Sequence, residues 1–354
     1  MAKEVVGLKV GASQLTAARV QLDGSAKLVQ VAREPLDRGI VVGGEVRDVE
    51  NLAEALKAFF KRHKLPRKSV RVGIASNRVG VRTIELAGIA DPKQLGNAVR
   101  FRAQEALPIP VDEAVLDFQI LGETNGEEGP KHRVLLVVAY RDLVAGLADA
   151  CRLAGIRLVG IDLEAFALLR ALTPPEIDIV SAEPSALVAV TMGAERSTLA
   201  VSDGTTCEFA RVVEWGGTSL TVDLARKLDV DYLEAERIKT VVSLANDDVP
   251  EGMSAEWAMQ AREALRSGVQ VFARELVSSL QFYQSQPDSL GIREIVLAGG
   301  SAQLGGLAET LTGLVGVPVR VGDPLVAVGV AKRLKGGLPG PQLAVPIGLG
   351  MGGL

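Results

Sequence analysis

Three glycine turns, each following a short apolar segment, are the features of this chain best suited to chemistry. They lie at Gly11, at Gly193 and along Gly299–Gly306. A turn of small residues lets backbone N–H groups approach a phosphate closely, and a helix N-terminus behind it adds a favourable dipole. None of the three matches a nucleotide fingerprint alone. The run Gly299-Gly300-Ser301-Ala302-Gln303-Leu304-Gly305-Gly306 lacks the G-x-G-x-x-G spacing, and Leu307 stands where a phosphate-loop lysine would follow Gly306. Taken singly, each turn reads as structural.

Composition narrows the chemistry further. The 354 residues include two histidines (His63, His132) and two cysteines (Cys151, Cys207). That excludes a disulfide framework and a Cys/His zinc site, and leaves little scope for histidine acid–base catalysis. With 47% hydrophobic residues, the chain is long enough for two or three domains at roughly 100–200 residues each. A net charge of −4 gives no global basic field, so no nucleic-acid partner is expected. The basic run Lys61, Arg62, His63, Lys64, Arg67 and Lys68 reads as a solvated helix end and loop. Val134–Tyr140, an apolar run, is far shorter than the roughly 20 residues that span a bilayer, and the N-terminal apolar stretch is too short for a signal peptide. The chain is therefore expected to be soluble and cytoplasmic. The apolar tail Pro341–Leu354 lacks Lys and Arg, and is expected to pack on the protein rather than on a membrane surface.

Periodicity supplies the elements that would hold the turns. Glu4–Leu8 and Leu15–Leu22 read as strands flanking the Gly11 turn, and Asp23-Gly24 signals a further hairpin. Val49–His63 has helical spacing, and Val70–Ala75 reads as a strand. A helix opens at Asp91-Pro92 and stops at Leu107–Pro110. Val115–Leu121 and Arg133–Tyr140 read as strands around a polar hairpin loop, Gly122–Lys131, and Arg141–Ala154 as a helix. Another helix covers Glu164–Leu172, and Pro174-Pro175 with Pro184 marks a boundary. Later helices are expected over Thr218–Leu228 (capped by Thr218 or Ser219), Asp231–Val242 and Ser254–Gln286, the last ending near Pro287. Strand Glu294–Ala298 leads into the late glycine loop, helix Leu307–Leu314 and strand Val317–Val321.

The second half repeats the start of the first. Val6–Val20 and Val188–Val201 both run strand, glycine turn, strand, and both reach an Asp-Gly turn, at Asp23-Gly24 and Asp203-Gly204. Lys9 and Thr191 fall at equivalent places, each two residues before its glycine. Two similar lobes with a cleft between them follow from such a duplication.

These duplicated hairpins, with Gly216-Gly217 leading into a helix, Ala235-Glu236-Arg237-Ile238-Lys239 and the late glycine loop, resemble the actin-like nucleotide-binding fold. Within it the chain resembles the PilM family of type IV pilus assembly. That likeness is carried by Arg100–Pro110 with Glu113 and Leu116-Asp117-Phe118, and by Leu228–Lys239, Ile295–Leu307 and Pro341–Leu354. FtsA and the cytoplasmic part of GspL share features of the fold, but the amphipathic tail of the first and the membrane span of the second have no counterpart here. The resemblance implies an α/β, actin-like (ribonuclease H-like, duplicated) two-lobed fold with a small inserted α/β subdomain. Residues 1–85 would form the first lobe (1A), 86–160 the 1C-type insert and 161–183 the return to the first lobe. Residues 184–218 and 288–340 would form the second lobe (2A), 219–287 subdomain 2B, and 341–354 a C-terminal segment packing on the fold.

In that fold the nucleotide lies between the lobes. The resemblance places Lys9, Gly11, Ala12 and Ser13 at one phosphate hairpin and Thr191, Gly193 and Ala194 at the other. Gly216, Gly217, Gly299, Gly300 and Ser301 would support the nucleotide, with Glu236 and Lys239 beside ribose and base. Yet the family usually carries Asp where Lys9 and Thr191 stand, and Mg²⁺ needs hard oxygen ligands, usually including carboxylates. Mg²⁺ is therefore not expected. Two readings remain: ATP bound without metal beside a fixed ammonium, or a pocket that has lost nucleotide, which we favour. Asp162 and Glu164, near the phosphates in the family, read as helix-start residues more readily than as water-orienting ones. The resemblance then implies an adaptor with no catalytic residue. It would bind the cytoplasmic N-terminal peptide of a PilN-like inner-membrane protein in a groove between 1A and 1C. It would join other pilus platform proteins and lie at the inner membrane through its partners, without inserting directly. The alternative is an active actin-like ATP-binding protein, either an ATPase or a division-type filament former.

Overall fold

A computed structural model describes residues 3–87, 92–106, 111–126, 129–173, 184–286, 289–334, 337–338 and 340–352. Strands β1 (Lys3–Val10) and β2 (Gln14–Asp23) form an antiparallel hairpin, with Lys9 opposite Thr16 and Val10 opposite Leu15. The chain reverses again at Gly24 into β3 (Ser25–Pro35). Two short strands, β4 (Val41–Val42) and β5 (Glu45–Val46), make a small hairpin ahead of α1 (Val49–Arg62). Asp48 caps α1 by accepting from the Asn51 N–H, and the helix buries Leu52, Leu56, Phe59 and Phe60. Strand β6 (Val70–Ile74) then pairs parallel to β1.

The insert is a three-stranded sheet with two helices. It contains β7 (Val79–Ala87), α2 (Pro92–Ala106), β8 (Ala114–Gly126), β9 (Gly129–Tyr140) and α3 (Arg141–Leu153), in strand order β7-β9-β8. Its sheet begins at Val79, ahead of the expected start at 86, because β7 pairs with β9. The expected loop Gly122–Lys131 is largely strand: Glu123 pairs with His132 and Thr124 with Lys131, so polar side chains do not prevent the ladder from continuing. Val99 and Ala103 of α2 pack against Leu136 and Val138. The chain rejoins the first sheet at β10 (Leu158–Leu163), parallel to β6, and enters α4 (Glu164–Leu172).

The second lobe runs β11 (Ser185–Met192), β12 (Ser197–Ser202), β13 (Cys207–Val213), α5 (Gly217–Leu228), α6 (Tyr232–Val241), α7 (Ala255–Gln284), β14 (Gly291–Gly299), α8 (Leu307–Val315) and β15 (Val319–Val321). Its strand order, β13-β12-β11-β14-β15, repeats β3-β2-β1-β6-β10 of the first sheet. In each, a three-stranded antiparallel meander is followed by two parallel strands. Thr191 faces Thr198 in the second hairpin as Lys9 faces Thr16 in the first. The duplication seen in the sequence is thus a duplication of topology and register. Asp231 and Ser254 cap α6 and α7 through their side chains. The expected helix opening at Asp91, the stop at Leu107–Pro110 and the boundary at Pro174-Pro175 lie outside the described residues; α7, expected to reach Gln286, ends at Gln284 with Ser285 as its C-cap.

Strand β16 (Gly329–Val330) returns to the first sheet beside β3, and α9 (Ala344–Met351) packs against β1, β2 and α4. One core joins the lobes: Leu168 and Ala171 of α4, Ile347 and Leu349 of α9, and Leu187, Ala189 and Val296 of the second sheet belong to it. The C-terminal carbonyls of α9 are met by arginines. Arg71 donates to Leu349 O at 3.2 Å and to Gly352 O, and Arg170 donates to Gly348 O at 2.6 Å. Burial lowers the Arg71 pKa from its ordinary value. Among the described residues no helix is long and apolar enough to cross a membrane.

The seat of α9 depends on two absent side chains. A Cβ on Gly348 would fall on the Ala167 carbonyl, and one on Gly7 would fall on the Pro346 carbonyl. Gly348→Ala therefore forces α9 away from α4, an overpacking cost of about 1–3 kcal/mol or more. Chemical denaturation should show that loss, whereas Gly313→Ala, where a Cβ meets nothing within 4 Å, should hold or raise stability.

Candidate functional site

The two hairpin turns face each other across the interlobe cleft. Each is closed by its own backbone: Gly11 N–H donates to Gln14 O at 3.0 Å and Gly193 N–H to Arg196 O at 2.8 Å. The cavity between them has a volume of about 100 Å³ and is lined by Lys9, Gly11, Ala12, Ser13, Thr191, Gly193, Ala194, Gly299 and Gly300, with Glu164 and Arg196. Sites for drug-sized ligands usually measure about 300–1,000 Å³.

Lys9, at the end of β1, meets Glu164, in the first turn of α4. Their Nζ and Oε2 atoms are 2.9 Å apart, with side-chain exposures of 20% and 6%. Glu164 is thus a helix-start residue, as expected, and also the partner of Lys9, which sequence reading missed. Nothing in the local sequence links the two; the link appears only once β10 places the start of α4 beside β1. Asp162 turns elsewhere: its carboxylate accepts from the Leu163 N–H at 2.8 Å and pairs with Arg170. Thr191 is buried.

This donor set does not fit Mg²⁺. An ammonium donates hydrogen bonds and has no lone pair to give a metal, and the Thr191 hydroxyl is one neutral oxygen. Among the described residues no group of three or more His, Cys, Asp or Glu is placed to hold a metal ion. The buried thiols of Cys151 and Cys207 are pushed up to about 12 by desolvation, which keeps them protonated and unreactive near neutral pH.

The remaining candidate residues form a second cluster beside the cavity. Lys239 Nζ donates to Gly217 O (3.1 Å) and Thr221 Oγ1 (2.8 Å) and pairs with Glu236 at 2.7 Å, and Thr221 Oγ1 donates to Glu236 at 2.6 Å. Ser301 lies against Gly217, where an added Cβ would be 2.5 Å from its Oγ. The N-terminus of α5 corrects an expectation: its cap is Gly216, not Thr218 or Ser219. The amides of Gly217 and Thr218 donate to Gly193 O (2.9 Å) and Ala194 O (2.8 Å), so the second hairpin itself satisfies the helix end. That approach needs Gly216, since a Cβ there would lie 2.4–2.7 Å from those carbonyls.

Residues 7–353 match the family model described as type IV pilus assembly protein PilM. The chain belongs to the PilM family. Its fold is similar to a chain solved in a PilM-PilN type IV pilus biogenesis complex, with a TM-score of 0.81 and 29% identity over 99% of this chain and 98% of that one. More remote likeness of fold alone is found to the ethanolamine utilization protein EutJ of Carboxydothermus hydrogenoformans (TM-score 0.56, 15% identity, 99% and 89% covered). A similar relation holds for MreB5 of Spiroplasma citri (TM-score 0.55, 15% identity, 98% and 94% covered). These likenesses agree with the two-lobed, actin-like architecture. A sequence match to the cell division protein FtsA of Rhizobium meliloti (strain 1021) is 28% identical over 195 residues, 51% of this chain and 42% of that protein. The chain therefore spans less than half the length of that curated relative.

Within this PilM-family chain, the Lys9–Glu164 pair makes a direct prediction. Lys9→Met leaves a carboxylate of 6% exposure without its counter-charge and should cost up to about 3 kcal/mol. Lys9→Met with Glu164→Gln should recover most of it. Urea melts of the two variants check this, and an undiminished stability in Lys9→Met would show that the pair contributes nothing.

Proposed function

We propose that this chain is an adaptor of a type IV pilus assembly machine, binding the cytoplasmic N-terminal peptide of a PilN-like inner-membrane protein, with a degenerate nucleotide pocket. The observation that carries the reading is the Lys9–Glu164 ion pair, set in a fold that resembles a chain solved with PilN from end to end. Phosphoryl transfer relies on a metal and on preorganised charge. At this site the ammonium is neutralised by its own carboxylate, so it is not a free cation standing in for Mg²⁺. Glu236 and Lys239, the residues the resemblance sets beside ribose and base, bind each other. Both facts favour the scaffold over the ATPase or filament former.

The groove proposed for the peptide lies between the first lobe and the insert. There α3 packs on α1 and on β5, with Val41 and Leu147 buried in the core that joins the insert to the first lobe. A short peptide with apolar anchors suits such a junction, and a preformed groove lowers the ordering cost of binding. Such binding would hold the protein at the inner face of the membrane, beside other platform proteins, with no insertion of its own.

Calorimetric titration with the cytoplasmic N-terminal peptide of a PilN-like protein from the same organism tests the adaptor reading. Saturable binding with a Kd on the order of micromolar is expected. A peptide of the same composition in scrambled order should give no heat. Equal behaviour of the two peptides, or no binding by either at about 100-fold that concentration, would remove the adaptor reading.

A further inference from the structure

The turn at Gly43-Gly44, between β4 and β5, is where both lobes and the insert meet. From the second lobe the hairpin tip Glu195-Arg196 reaches it. The Gly43 N–H donates to the Glu195 carboxylate at 3.0 Å. The Arg196 guanidinium lies over Gly43, so that a Cβ there would sit 2.5 Å from Nη2. Arg196 Nη2 also donates to Glu214 at 3.2 Å, and Glu214 accepts from Nδ2 of Asn77, on the first-lobe side, at 2.8 Å.

The turn is fixed from its other sides as well. Gly44 rests directly on the Ala75 carbonyl, with no room for a side chain. Gly43 and Gly44 have φ of +61° and +74°, a region that side chains disfavour. On the insert side Arg78 joins Glu45 at 3.6 Å to Asp142 at 2.9 Å. The Arg196 Nη1 is buried without an acceptor, a cost that the contacts around it must outweigh in the closed form.

We propose that the Gly43-Gly44 turn is a clasp that holds the two lobes and the insert together. Beyond the core that the lobes share, these contacts are a polar bridge across the mouth of the cleft, made by the chain itself. Separating the lobes breaks the Gly43–Glu195 and Glu214–Asn77 bonds together, so the clasp opens as one event rather than by degrees. The proposal stands whether or not a PilN-like peptide binds.

Hydrogen–deuterium exchange on the full chain, without nucleotide, tests it. In Glu195→Ala with Arg196→Ala, exchange should rise about ten-fold in both Val41–Val46 and Gly193–Arg196, with β1, β11 and α9 at wild-type rates. Wild-type rates in Val41–Val46, or acceleration confined to the mutated hairpin, would overturn the clasp. Should the double variant loosen β1 and β11 too, Asn77→Ala decides, since it removes only the exposed bond to Glu214. A rise of about two-fold or more at Gly193–Arg196 is then expected, and no rise overturns the proposal.

Discussion

The ion pair between Lys9 and Glu164 fixes the end of the first strand against the start of α4. Much of the molecule is built around that junction. Helix α4 carries the core shared by the two lobes and supports α9, which in turn packs on β1 and β2 of the first sheet. A charge pair at this depth is not a general source of stability, because both partners must be desolvated. What it provides is a strong penalty on any arrangement that separates them. In a cleft between lobes, that penalty selects one placement of α4.

The same pair sets the chemistry of the cleft. The family fold offers glycine turns from opposite lobes, a helix N-terminus and a late glycine loop, all suited to phosphate. In this chain the polar groups nearest these elements are committed to one another. Lys9 is held by Glu164, Lys239 by Glu236 and Thr221, and the first amides of α5 by the Gly193 and Ala194 carbonyls. The glycines keep their structural work, which is close backbone approach.

Much of this was legible in the sequence. The duplicated hairpins, the insert and the family followed from residues near each other in the chain, because strand alternation and glycine turns are local signals. The expected positions of Lys9 and Thr191 in register were right, as the pairing to Thr16 and Thr198 shows. What escaped were contacts set by packing. The Glu164 partner of Lys9 depends on where β10 delivers α4. Gly216 as a cap depends on carbonyls from another hairpin, whereas Thr218 and Ser219 carried the stronger local signal. The β4 and β5 strands have two residues each, too short for periodicity to register. The polar Gly122–Lys131 stretch misled because the backbone ladder that makes it strand is supplied by pairing between β8 and β9, which local polarity does not reveal.

The most direct test of a cleft sealed by its own side chains is calorimetric titration of the wild-type protein with ATP, with and without Mg²⁺. The account predicts no metal-dependent binding, because Lys9 and Thr191 cannot supply the ligands that Mg²⁺ requires. Tight binding of ATP that appears only with Mg²⁺ would contradict it.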